Sequence, residues 1–160
     1  MSVCAFTGHR KLPGGYSAED NKELLWRLHD AIVNHIEKYQ CDTFISGMAI
    51  GVDSFSARIV LKLKEKYPHL KLIAAIPCKN HSKMWNKETQ EEYQQILEKC
   101  DQVILVSDEE YKPYLMQIRN EFMSDRAQYV IAVWDGSEGG TGNMVRYCEK
   151  QDKQIYIIRP

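Results

Sequence analysis

Gly139-Gly140-Thr141-Gly142-Asn143, a glycine run set between the apolar residues 129–134 and the helix-like residues 144–151, decides how this chain is read. Strand, glycine turn, helix is the layout of an anion cradle. Glycine lets the backbone turn tightly and approach a ligand, and the free N–H groups at the following helix start point toward negative charge. Two more turns of this kind follow apolar runs: Thr7-Gly8-His9-Arg10 after residues 3–6, and Ser46-Gly47-Met48-Ala49-Ile50-Gly51-Val52-Asp53 after residues 43–45. A single glycine turn is common for packing reasons alone; three in one chain point to a ligand.

Outward from these turns, apolar runs rich in β-branched residues recur at 3–7, 43–46, 70–76, 102–106, 129–134 and 155–158, with helical patterns between them. Ser17 followed by Asp20 resembles a helix start, and Leu24, Leu25, Leu28, Ile32 and Ile36 then form one apolar stripe in a long helix ending near Gln40. Asp53 is placed to cap a second helix that turns Phe55, Ile59, Val60 and Leu63 inward and stops before Pro68. Residues 87–100, 114–124 and 143–151 make three more. Continuously apolar strands alternating with helices predict an α/β chain: a Rossmann-like, doubly wound, mostly parallel sheet with helices on both faces. With no internal repeat, low-complexity segment or Pro/Gly/Ser-rich linker, residues 1–160 read as a single domain.

At 44% hydrophobic and 27% charged residues the 160-residue chain is globular in composition, and its net charge of −1 offers no chain-wide attraction for nucleic acid or anionic membrane. The expected partner is a small molecule, and nucleic acid is disfavoured. No apolar run approaches the roughly 18 residues that span a bilayer, and no basic segment followed by a long apolar stretch opens the chain, so a cytoplasmic location is expected. Cys4, Cys41, Cys78, Cys100 and Cys148 are odd in number and never spaced Cys-x-x-Cys, which fits reduced thiols and no metal site. No cofactor is required by any of these residues.

In a doubly wound fold ligands bind beyond the carboxyl ends of the strands, and all three glycine turns lie at that edge. Arg10 suits a phosphate through paired hydrogen bonds, and His9 stands beside it. Asp53 can cap its helix or accept from ribose hydroxyls; Asp135 can hold its own loop or bind ligand. Glu138 is the carboxylate next to the glycines. Asn120, Asp125 and Arg126 read on spacing alone as a charged helix terminus. Trp85 and Tyr111, on irregular loops at the same edge, are open to stacking on a base or to packing. His29, His35 and His69 read as surface or helix-face residues.

Taken together, Thr7-Gly8-His9-Arg10, Ser46-Gly47 with Gly51-Val52-Asp53, Arg119-Asn120 through Asp125-Arg126, and Asp135-Gly136 with residues 139–145 resemble the SLOG superfamily. That superfamily joins DNA processing protein A with the LOG phosphoribohydrolases, and the likeness is to its small YpsA-type branch. The resemblance covers nearly the whole chain and implies a modified Rossmann fold binding a nucleotide or a nucleotide-derived molecule such as an ADP-ribose derivative. It leaves a homo-oligomer open.

Carried over residue by residue, the resemblance implies ligand contacts at Thr7, Gly8, His9, Arg10, Ser46, Gly47, Gly51, Asp53, Asn120, Arg126, Asp135, Gly136, Gly139, Gly140, Thr141, Gly142 and Asn143. The Met-x-x-Arg segment of the LOG enzymes is similar to Met123-Ser124-Asp125-Arg126, which nominates Arg126 as a phosphate or transition-state ligand. The LOG motif glutamate falls on Arg146, and a cation cannot stabilise a developing oxocarbenium ion. Hydrolysis of an N-glycosidic bond would therefore call on Asp135, Glu138 or Asp53 beside Arg126. The Ser46 to Asp53 turn resembles the corresponding element of DNA processing protein A, with Ile50 where a basic residue is frequent, which weakens a single-stranded DNA reading.

Overall fold

Six short strands, each followed by a helix until the last, are the direct product of the alternation in the sequence. The computed structural model describes residues 2–160. In chain order the elements are β1 (Ser2–Gly8), α1 (Lys22–Glu37), β2 (Cys41–Ser46), α2 (Val52–Leu63), β3 (Lys71–Ile76), α3 (Lys87–Lys99), β4 (Gln102–Leu105), α4 (Pro113–Arg126), β5 (Tyr129–Val133), α5 (Gly140–Lys150) and β6 (Gln154–Ile158). A single 3-10 turn, Glu19–Asn21, leads into α1.

The strands form one sheet in the order β4-β3-β2-β1-β5-β6, with every neighbouring pair parallel. From β1 the chain steps outward to β4 and then returns to place β5 on the other side of β1. Right-handed crossovers therefore put α1, α2 and α3 on one face and α4 and α5 on the other. The packing agrees. Phe6, Phe44 and Leu72 meet Leu28, Ile32 and Val60 on the first face, while Ala5, Ile45 and Val130 meet Met123, Met144 and Cys148 on the second. Strand order reverses between β1 and β5, so the ligand crevice of this architecture opens above their carboxyl ends.

Three local expectations change. α5 starts at Gly140, not after the glycine run, so Gly140, Thr141 and Gly142 are its first turn and Gly139, at φ 137°, its N-cap. The N-cap of α2 is Gly51 at φ 91°, with no side-chain cap; Asp53 lies inside the helix and its Oδ2 instead accepts from the Ala49 N–H at 3.3 Å. His35 is buried: its Nδ1 lies 2.7 Å from the Ala31 carbonyl, and burial lowers its pKa.

Candidate functional site

A cleft of 290 Å³ opens at the β1–β5 crevice. Its walls come from the end of β1 and the loop after it (Thr7, Gly8, His9, Arg10), the α2 start (Ala49, Asp53), one face of α4 (Met116, Arg119, Asn120) and the α5 start (Glu138 to Gly142). The close approach of these elements depends on glycine. A Cβ on Gly8 would stand 2.6 Å from Val52, and one on Gly51 would stand 2.3 Å from the Arg10 carbonyl oxygen, so α2 can lie against the β1 loop only with no side chain at either position.

The chemistry of the cleft centres on two buried charges. Arg119 is 5% exposed and Asp53 6%. Arg119 donates from Nη1 to the Gly47 carbonyl at 2.5 Å and to the Ala75 carbonyl at 3.4 Å, and from Nε to Asn120 Oδ1 at 3.2 Å. Its guanidinium presses so closely on the backbone that a Cβ on Gly47 would fall 2.4 Å from Nη1. Burial pushes the Asp53 carboxyl above its usual pKa, against the pull of the Arg119 charge, the Ala49 amide and Arg10. Burial likewise disfavours the Arg119 charge, which Asp53 supports and Arg10 opposes. A carboxylate and a guanidinium held out of water at a cleft wall act strongly on any polar group beside them, because solvent cannot screen them there.

Behind this pair, His81 places Nε2 3.0 Å from the Met48 carbonyl oxygen, at a residue held with φ 57°. Its pKa is lowered to about 4, first by burial and then by the Arg119 charge, so the imidazole is neutral and its Nε2–H is the donor. Ser46 Oγ donates to the Asp53 carbonyl at 2.9 Å and accepts from the Met48 N–H at 3.1 Å. Ser46, Gly47 and Gly51 thus shape the turn that carries Asp53, and none of them lines the cleft.

On the opposite wall no side chain of the described residues caps α5, and the α5 amide that closes back on Gly139 is that of Asn143, at 2.9 Å. The N–H groups of Gly140, Thr141 and Gly142 are therefore the anion-facing end of the helix. Asp135 holds this loop: its Oδ1 accepts from the Ser137 N–H at 2.9 Å, its own N–H donates to His9 Nε2 at 3.3 Å, and the Ser137 bonds keep its carboxyl below the usual pKa. Gly136 turns at φ 90° within the same loop. Asn143 faces outward, where its Oδ1 accepts from Arg146 at 2.6 Å.

Arg126 lies elsewhere. It sits in the last turn of α4, at the amino edge of the sheet, stacked 3.5 Å from the Phe122 ring centroid and donating to the Phe122 carbonyl at 3.2 Å. The Met-x-x-Arg spacing occurs once more two turns earlier, at Met116 to Arg119, and this copy faces the cleft. Trp85 is packed edge-on against His81 and Tyr93, and Tyr111 is exposed; neither lines the cleft. The described residues hold no cluster of three or more His, Cys, Asp or Glu side chains arranged for a metal. No helix among them is long and apolar enough to cross a membrane.

An all-parallel sheet in this order with its cleft at the β1–β5 reversal is the Rossmann-like architecture of SLOG proteins. A match of residues 4–160 to the family model described as "YpsA: YspA SLOG family" assigns this chain to that family. Among its relatives, the uncharacterized SPbeta prophage-derived protein YoqJ of Bacillus subtilis is 34% identical over 152 residues, 87% of each chain. The UPF0398 protein YpsA of the same organism is 27% identical over 168 residues, 99% of this chain and 92% of its own. In three dimensions the chain resembles DNA processing protein A from Streptococcus pneumoniae, with a TM-score of 0.72 at 15% identity, over all of this chain and 51% of that one. The corresponding protein from Helicobacter pylori, described for its single-stranded DNA binding mode, gives a TM-score of 0.66 at 15% identity over 99% of this chain and 66% of that one. The chain thus spans about half to two thirds of these structural neighbours, and the likeness is one of fold.

Proposed function

We propose that the protein binds a small nucleotide or nucleotide-derived phosphate in the β1–β5 cleft, as a cytoplasmic sensor or sequestering protein. The observation that carries this reading is Arg119, a guanidinium buried at a wall of the cleft beside Asp53 and opposite an uncapped helix start. In this reading the phosphate sits on the amides of Gly140 to Gly142 within reach of Arg10, and sugar hydroxyls point to Asp53. A volume of 290 Å³ suits one nucleotide unit.

Thermal unfolding with AMP, ADP-ribose and NAD tests it. A ligand at 100 times its Kd adds about 2.7 kcal/mol, which raises Tm by about 5–10 °C in a chain of this size. No rise with any of the three rejects the reading. If single-stranded DNA were the ligand, an oligonucleotide would bind with an affinity that falls steeply with salt.

One observation favours turnover as a second reading: Asp53 is a buried carboxyl at a cleft wall whose pKa burial raises and the Arg119 charge pulls back, and carboxyls perturbed in this way cluster at catalytic sites. Arg146 stands outside the cleft and cannot serve, and Glu138 lies at its exposed rim. Release of free base from a nucleoside monophosphate, lost in Asp53→Asn, is the outcome this reading requires.

A further inference from the structure

The turn that carries Asp53 has a second side. Ala49 and Asp53 face the cleft, whereas Ile50, Gly51 and Ser54 line a groove of 610 Å³ between α2, α3 and the loop that leads into α1. The two depressions therefore share the turn of residues 49–54 as a wall.

The groove differs from the cleft in chemistry. Its walls are aromatic: Phe55, Trp85, Tyr93 and Tyr16. Trp85 is braced edge-on by His81 and Tyr93, with ring centroids 5.0 and 5.2 Å away. Tyr16 is 63% exposed on the turn after Gly15 and, among the described residues, stacks on no other ring. Several polar groups of the groove are engaged with one another or with backbone. Ser54 Oγ donates to the Ala49 carbonyl at 2.8 Å, Asn86 Oδ1 accepts from the Thr89 N–H at 2.8 Å, and Arg58 pairs with Glu92 at 2.5 Å. Glu88 adds a second carboxylate against that one guanidinium, so the groove repels a phosphate. A flat ring, uncharged or cationic, is what aromatic walls with a slight negative excess hold best.

We propose that this groove is a second subsite, taking a planar heteroaromatic ring of the ligand whose phosphate occupies the cleft. The inference rests on the anion-binding reading above and adds that the ligand is bipartite, anion on one side of the shared turn and ring on the other. Tyr16 is the exposed platform, and Trp85 and Phe55 form the fixed walls.

Calorimetric titration of NAD and of ribose 5-phosphate separates the two readings. In the unaltered protein both bind, NAD more tightly. Tyr16→Ala, at an exposed position, weakens NAD about tenfold, the scale of one stacking contact, and leaves ribose 5-phosphate unchanged. Tyr16→Phe, which keeps the ring, holds the affinity for NAD. Equal affinity for NAD in Tyr16→Ala and the unaltered protein, or an equal loss of both ligands in Tyr16→Ala, overturns the subsite and leaves the cleft standing. Failure of both ligands to bind the unaltered protein overturns the cleft and the subsite together.

Discussion

Two Met-x-x-Arg segments lie seven residues apart on α4, and the helix delivers them to opposite surroundings. Arg119 is buried at the carboxyl edge of the sheet, bonded to the carbonyls of Gly47 and Ala75 and to Asn120, with Asp53 as its counter-charge. Arg126, about 10 Å further along the axis, is exposed at the other edge of the sheet and rests on Phe122. Seven residues are nearly two full turns, so both side chains leave the helix on similar sides. Height along the sheet, not helix face, separates them. A crossover helix starts at the carboxyl edge of one strand and ends at the amino edge of the next, so only its earlier turns reach the ligand rim.

The largest effect expected of this contrast is on stability. Arg119→Met keeps the volume but leaves Asp53 without its counter-charge, and the loss is expected to be about 3–5 kcal/mol in denaturant unfolding at neutral pH, with nucleotide binding abolished. Arg126→Met should stay within about 0.5 kcal/mol and keep binding. Equal losses at the two positions would break the comparison.

A second test uses pH. His81, beside Arg119, has its folded pKa lowered to about 4 from 6.5. The unfolded chain therefore takes up the proton first as pH falls, so the contribution of His81 is fully present above pH 6.5 and is lost between pH 6.5 and about 4. The amount is on the order of 3 kcal/mol. Stability curves of the unaltered protein and His81→Gln should converge or cross over that window, and curves running parallel through it would show that His81 is not held neutral.

The smallest effect concerns the backbone under Arg119. Gly47→Ala would bring a Cβ to 2.4 Å from Nη1, so the guanidinium must shift. A cost of about 1–3 kcal/mol and weaker nucleotide binding are expected, read by unfolding and by the ligand-induced rise in Tm. Unchanged binding would mean that the position of Arg119 is not set by this contact.

Much of this was legible before the fold was known. The glycine turns after β1, β2 and β5 all came to the carboxyl edge of the sheet, because in a parallel sheet every strand-to-helix turn is on that edge. Asn120 was legible too, and it lines the cleft. The sequence nominates Arg126 through the Met-x-x-Arg segment and gives Arg119 only as part of the resemblance, whereas the fold brings Arg119 to the cleft wall and leaves Arg126 outside it. The available signal was topological: of two copies on a crossover helix, the earlier is the one at the rim. The sequence leaves Asp53 open between capping α2 and facing a ligand, because an acidic residue near a helix start fits either place. Its actual role depends on the Ala49 amide turning back onto it, which the left-handed Met48 makes feasible.

The amino-acid order alone determined the alternation of strand and helix, the parallel sheet, and the edge at which the glycine turns gather, since hydrophobic period and turn chemistry act over a few residues at a time. Only tertiary structure decided which charges lose their water. The turn from Gly47 to Asp53, His81 and Arg119 are far apart along the chain and meet where three elements close over them, and desolvation is a property of that closed assembly rather than of any segment in it.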